Sequence, residues 1–173
     1  DIKEPGLNVL PPGVERHTVN MGGLTGLQIF PDDQIEIINE EGNQICEIIC
    51  FDKNGKSELG ILSLKENIKK SFIKEILNNN DESSLITKLQ LKKRNLNINN
   101  SKSSIIFDKD TPSGEKVKLK SKDKCYVIFS APKNEMLISD QNPSGDLTIF
   151  IKRAKITKDK ELSIIPDPVF EPN

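Results

Sequence analysis

A single histidine, His17, and three cysteines, Cys46, Cys50 and Cys125, are the side chains best able to do nucleophilic or metal chemistry in this 173-residue chain. A cysteine nucleophile needs a base within hydrogen-bond reach, and a zinc ion needs three or four N, S or O ligands around one centre. Cys46 and Cys50 lie four apart in an apolar run that reads as a strand. At about 3.3 Å per residue they share a face but stand ~13 Å apart, too far for one ion. All three thiols sit in apolar stretches, so buried structural cysteines are expected, with no metal site and no catalytic residue. The chain has no P-loop, GxGxxG, GxSxG, HExxH or CxxC, and Gly22-Gly23 with Gly26 lacks the strand–helix context of a phosphate loop.

Polar residues inside apolar runs are the remaining candidates. Alternation puts Glu47 on the same strand face as Ile45, Ile49 and Phe51. A carboxylate there must be paired, hydrogen-bonded or protonated. An ion pair with an arginine such as Arg16 or Arg153 is the structural expectation; a ligand-facing acid is the functional one. Gln44 at the start of that strand and Tyr126 in a later one complete a candidate ligand set of Gln44, Glu47 and Tyr126. Alternation places Gln44 and Glu47 on opposite faces, so a shared pocket needs a bulge.

The elements that would hold these residues are mostly strands. Segments 16–21, 27–30, 34–39, 44–51, 104–107, 116–120, 125–131, 136–139 and 147–154 alternate or run apolar between turn signals. Glu40-Glu41-Gly42-Asn43 reads as a tight connection that pairs 34–39 with 44–51 as an antiparallel hairpin. The second of these strands is apolar on both faces, which marks it as central. Ser63 and Glu66 form a capping box ahead of Leu64, Ile68, Phe72, Ile73, Ile76 and Leu77 at helical spacing, so a helix is expected over 63–80. Residues 82–95 fit either a helix or the start of a strand. The fold expected is mainly β: a barrel or sandwich of short antiparallel strands, forming one domain over 1–173, with a helical insertion near 63–80.

Bulk properties exclude several classes. Lys+Arg number 25 against 26 Asp+Glu, for a net charge of −1, so no broad positive field points to nucleic acid or an anionic membrane. The basic clusters Lys69-Lys70, Lys92-Lys93-Arg94 and 116–124 are interleaved with apolar residues, the pattern of solvated faces. No apolar run approaches the ~18 residues that span a bilayer. The odd number of thiols suits a reducing, cytoplasmic setting. The chain starts at Asp1 without an initiator methionine and reads as part of a longer polypeptide.

Leu10-Pro11-Pro12-Gly13, the run from Gln28 to Ile37, and Glu41-Gly42-Asn43-Gln44 together resemble the start of the urea-carboxylase-associated domain. That family shows an apolar-Pro entry, a Gly-Asp turn, a strand and Glu-Gly-x-Gln; here Asp32-Asp33 replaces Gly-Asp. The family's metal-linked Cys and His residues lie in a longer second half with no counterpart in this chain, so metal binding does not carry over. A closer resemblance is to the N-terminal region of multidomain proteins ending in a glycine-cleavage T-protein-like aminomethyltransferase. It rests on Asn142-Pro143-Ser144-Gly145-Asp146-Leu147, on Ile151-Lys152-Arg153, and on Ile165-Pro166-Asp167-Pro168 with the residues to Pro172. The resemblance implies a non-catalytic accessory domain that packs against neighbouring domains. Folate-dependent one-carbon chemistry, with its tetrahydrofolate, would lie in the parent protein outside this chain. The alternative reading is a stand-alone small-ligand binding module.

Overall fold

The computed structural model describes residues 10–133 and 145–155. Eight strands form: β1 (Val14–Val19), β2 (Leu24–Ile29), β3 (Gln34–Asn39), β4 (Cys46–Asp52), β5 (Ser103–Ile106), β6 (Glu115–Lys120), β7 (Cys125–Ser130) and β8 (Leu147–Lys152). They build two four-stranded sheets ordered β1-β8-β3-β6 and β2-β7-β4-β5, with every pairing antiparallel. Neither sheet closes on itself, so the architecture is a sandwich and not a barrel. No helix among the described residues is long and apolar enough to cross a membrane.

Alternation fills the space between the sheets. Ile35, Ile37 and Ile149 from one meet Ile48, Val127 and Phe129 from the other. The β2-β7-β4-β5 sheet is covered on its second face as well, where Ile49, Phe51 and Ile128 pack against residues of helices α1 (Phe72–Ile76) and α2 (Glu82–Lys93). β4 is central between β7 and β5, which accounts for its apolar character on both faces. The opposite sheet ends in β6, whose Lys116, Lys118 and Lys120 are exposed; lysines on an edge strand discourage pairing with another chain.

Two local expectations are corrected. β3 and β4 are not a hairpin: β3 pairs with β6 and β8, β4 with β5 and β7. Residues 40–45 instead carry the chain from one sheet to the other. Gly42 (φ +78°) and Asn43 (φ +60°) turn the backbone there. A side chain on Gly42 would meet Thr111 O and Ser113 N at 2.8 Å, so this turn is reserved for glycine on both counts.

Nor does Ser63 start a helix. It ends the 3-10 turn Leu59–Leu62 in a left-handed conformation (φ 60°). Residues 64–70 then run along the open edge of β5. Asn67 closes that edge by accepting from Ile105 N at 2.7 Å and donating to Ile105 O at 2.9 Å. The helical part of the insertion begins later, with Ser71 as the cap of α1: its hydroxyl accepts from Lys74 N at 3.2 Å. Removing this cap by Ser71→Ala is expected to lower stability by about 1–3 kcal/mol, because the same hydroxyl donates to a buried carboxylate. Urea unfolding checks this, and an unchanged midpoint would refute it. The ambiguous run 82–95 is the helix α2, and the strand expected at 136–139 lies outside the described residues.

Candidate functional site

Glu47 sits on the helix-facing side of β4 and is fully buried. Its partners are not arginines. Oε2 accepts from the hydroxyls of Ser71 (2.6 Å) and Ser103 (2.5 Å), and Oε1 accepts from Ile73 N at 2.8 Å. Ile73 N is one of the amides that the first turn of α1 leaves without an intrahelical acceptor. The carboxylate therefore ties three elements together: β4, β5 and the start of α1.

The arginine expected for Glu47 serves another cluster. Arg153, just past β8, is buried and donates to Glu15 (Nε to Oε2 2.7 Å, Nη2 to Oε1 3.0 Å), to Asp33 Oδ2 (2.7 Å) and to Gln28 O (2.9 Å). Asp33 has no exposed surface and also accepts from the backbone of Phe30 and Ala154. His17 Nε2 lies 3.0 Å from Glu15 Oε1. Burial works against the charge on Glu15, but hydrogen bonds from His17 and Arg153, and their charge, outweigh it and hold the carboxyl at about 2. Hydrogen bonds to Glu15 and Asp33 likewise outweigh burial and hold Arg153 above its usual range. Because the Glu15 value is depressed in the folded state, its contribution is fully present above about 4.5 and is lost as pH falls through about 2. Acid titration of the melting temperature should therefore show a loss of up to a few kcal/mol between those pH values, since each tenfold change in proton affinity is worth ~1.4 kcal/mol. In Glu15→Gln that step should shrink; an identical acid profile in the variant would sink this assignment.

Tyr126 lies on the same face of the sheet as Glu47, but across from Phe51 in register while Glu47 is across from Ser130. Four residues of strand, about 13 Å, separate the two. The guanidinium of Arg94 stacks 4.4 Å above the Tyr126 ring, and Arg94 Nη1 donates to Gln28 Oε1 at 3.0 Å. These residues, with Asp52, Lys53 and Lys124, line a cleft of about 370 Å³. Lys53 is 3.6 Å from Asp123, and Asp52 faces the same space, so the three cations on its walls are largely offset. Gln44 is elsewhere again, in the crossing between sheets. Its amide donates to Pro132 O and Ile45 O, both at 2.8 Å, and its backbone oxygen accepts from Asn39 Nδ2 at 2.7 Å. The three sequence candidates thus occupy three separate places and line no common pocket.

The thiols belong to the core. Burial, reinforced by the charge of Glu47, pushes the Cys46 thiol up, and hydrogen bonding to Cys125 together with burial does the same to Cys50. The hydrogen bond with Cys50 shifts Cys125 the other way, downward, but that thiol is enclosed like the other two, and thiols closed off from substrate are poor candidates for nucleophiles. Among the described residues no three of His, Cys, Asp and Glu come together as a metal set. Asp33, Glu15, Arg94, Ser71 and Ser103 are not legible in the sequence as site residues. The one signal it offers is Glu15 and His17 two apart on a strand, which puts them on one face.

A β-sandwich whose buried ionic groups engage one another is the class of module this geometry defines. Compared with characterised proteins, the chain is 32% identical over 171 residues to a trimethylamine-oxide aldolase of Ruegeria pomeroyi. The match covers 99% of this chain and 22% of that protein. The chain therefore corresponds to one part of a larger protein. No family profile matches it.

Proposed function

We propose that this chain is a non-catalytic accessory domain of a larger enzyme, one that removes a one-carbon unit from a methylated amine compound in a folate-dependent, aminomethyltransferase-like reaction. The observation that carries the reading is the alignment of nearly the whole chain with a fifth of a trimethylamine-oxide aldolase. The carbons of trimethylamine oxide are all methyl groups on nitrogen, so an aldehyde leaving it is a one-carbon unit, the cargo that tetrahydrofolate carries. Among the described residues, the cleft beside Tyr126 does not fit that cofactor. A pterin needs an apolar slot with a few placed polar groups, whereas the cleft beside Tyr126 is lined mainly by charged and amide side chains and its one aromatic ring is covered by Arg94. Folate binding and the reaction are accordingly assigned to other parts of the parent protein, which would work in the cytoplasm with this domain packed against its neighbours.

The test is to purify the 173-residue chain and the polypeptide encoded by the complete reading frame, and to assay both for aldehyde release from trimethylamine oxide with and without tetrahydrofolate. Turnover is expected from the longer polypeptide and none from the chain alone. Turnover by the chain alone, or a reading frame with no further domain, would overturn the reading.

A further inference from the structure

The second helix leaves three of its four large aliphatic side chains on the side turned away from the sheet. At 100° per residue, α2 directs Ser84, Thr87 and Leu91 to the sheet, while Leu85, Ile86 and Leu89 lie on the far side with 47%, 53% and 66% of their surface exposed. A helix on a free-standing domain buries its aliphatic stripe against the core. This one buries two hydroxyls, Ser84 and Thr87, beside a single leucine, Leu91, and it is fixed in that rotation. Ser84 Oγ donates to Ile76 O at 2.8 Å, and Leu24 N to Ser83 Oγ at 3.2 Å. Arg94 at its end is held by Gln28 and Tyr126. Rolling Leu85, Ile86 and Leu89 inward would break this set, so the apolar face is a settled feature of the fold. Exposed Lys88, Lys92 and Lys93 lie beside and among these side chains, against one exposed acid of the helix, Glu82, so the charge on this side is net positive.

The size of the face bears on its occupant. Three aliphatic side chains offer a few hundred Å² at most, against the ~800 Å² per partner of stable association between free proteins. A small contact suffices when both surfaces are on one polypeptide, because the connecting chain supplies a roughly millimolar effective concentration. We propose that the Leu85-Ile86-Leu89 face of α2 is the surface on which another part of the same larger polypeptide docks, presenting apolar side chains edged by carboxylates opposite Lys88, Lys92 and Lys93. This inference rests on the accessory-domain reading and names the partner surface.

A single reporter tests it. The three native thiols of the 173-residue chain are all buried, so Leu89→Cys introduces its one readily accessible thiol, and Lys109→Cys in an exposed turn sets the unhindered rate; in both proteins labelling is read by mass spectrometry on the peptide that carries the introduced cysteine. Maleimide labelling is measured in the 173-residue chain and in the polypeptide of the complete reading frame. At position 89 labelling should be slower in the longer polypeptide by about tenfold or more, with position 109 unchanged. Equal rates at 89 in both proteins would overturn the docking surface while leaving the accessory reading to its own turnover assay. Protection of 89 in the 173-residue chain that disappears on dilution would assign the face to a second copy, and would also overturn the inference.

Discussion

Replacing Arg153 by alanine is expected to destabilise the fold by about 3–5 kcal/mol, the usual cost of removing one partner from a buried ion pair. The guanidinium serves Glu15 on β1, Asp33 in the turn before β3 and Gln28 O at the end of β2, so it joins both sheets at one end of the sandwich. Without it Asp33, which has no exposed surface, loses the guanidinium it accepts from, and Glu15 loses its closest cation. Arg153→Lys should recover part of the loss only, since one ammonium group cannot reach Glu15, Asp33 and Gln28 O together as a planar fork does. Because the cluster is buried, added salt should weaken it little. Urea unfolding of the 173-residue chain measures all three points. A change below ~1 kcal/mol in Arg153→Ala would mean that the carboxylates hydrate or protonate freely, and that the cluster does not hold the sheets.

Much of the fold can be read from alternation, and the failures share a cause. Period-2 patterning and turn residues locate the strands of the described region, β2 only in its second half, and the two apolar faces of β4 mark it as central. Pairing is misread because the signal for the turn at Gly42 is local, whereas the choice of partner is not. Gly42 and Asn43 serve a hairpin and a sheet-to-sheet crossing equally well. A discriminating signal is present: β3 carries Glu36 on its outer face, while β4 is closed on both, and two strands of one hairpin seldom differ in that way. The helix start fails for a related reason. Ser63 and Glu66 satisfy a capping pattern, but Asn67 finds its partners on β5, 38 positions away, and an edge strand needing cover outweighs a cap worth about 1 kcal/mol. The buried polar clusters are least legible of all. Their members lie far apart in sequence, so single residues such as Glu47 announce a need for partners without naming them.

Glu47→Gln is expected to cost about 1–3 kcal/mol whether or not any ligand is present, and Glu47→Leu more. Three donors converge on this carboxylate: two hydroxyls on Oε2 and a backbone amide on Oε1. A glutamine of the same shape keeps one acceptor. If its oxygen stays with Ile73 N, its NH2 group faces the Ser71 and Ser103 hydroxyls, which must rotate to accept and leave their own protons without a partner. If the amide turns over, the first turn of α1 loses its acceptor instead. Leucine removes both acceptors and strands all three donors in a region closed to water. The loss should concentrate where the carboxylate makes its ties, so hydrogen exchange should accelerate in α1 and β5 more than in the strands of the opposite sheet. The alternative role, a ligand-facing acid, predicts a different pattern: an unchanged melting temperature in the free protein. A Glu47→Gln variant that melts with the wild type, and whose α1 amides exchange no faster, would remove Glu47 from the framework of the fold and restore it as a candidate binding group.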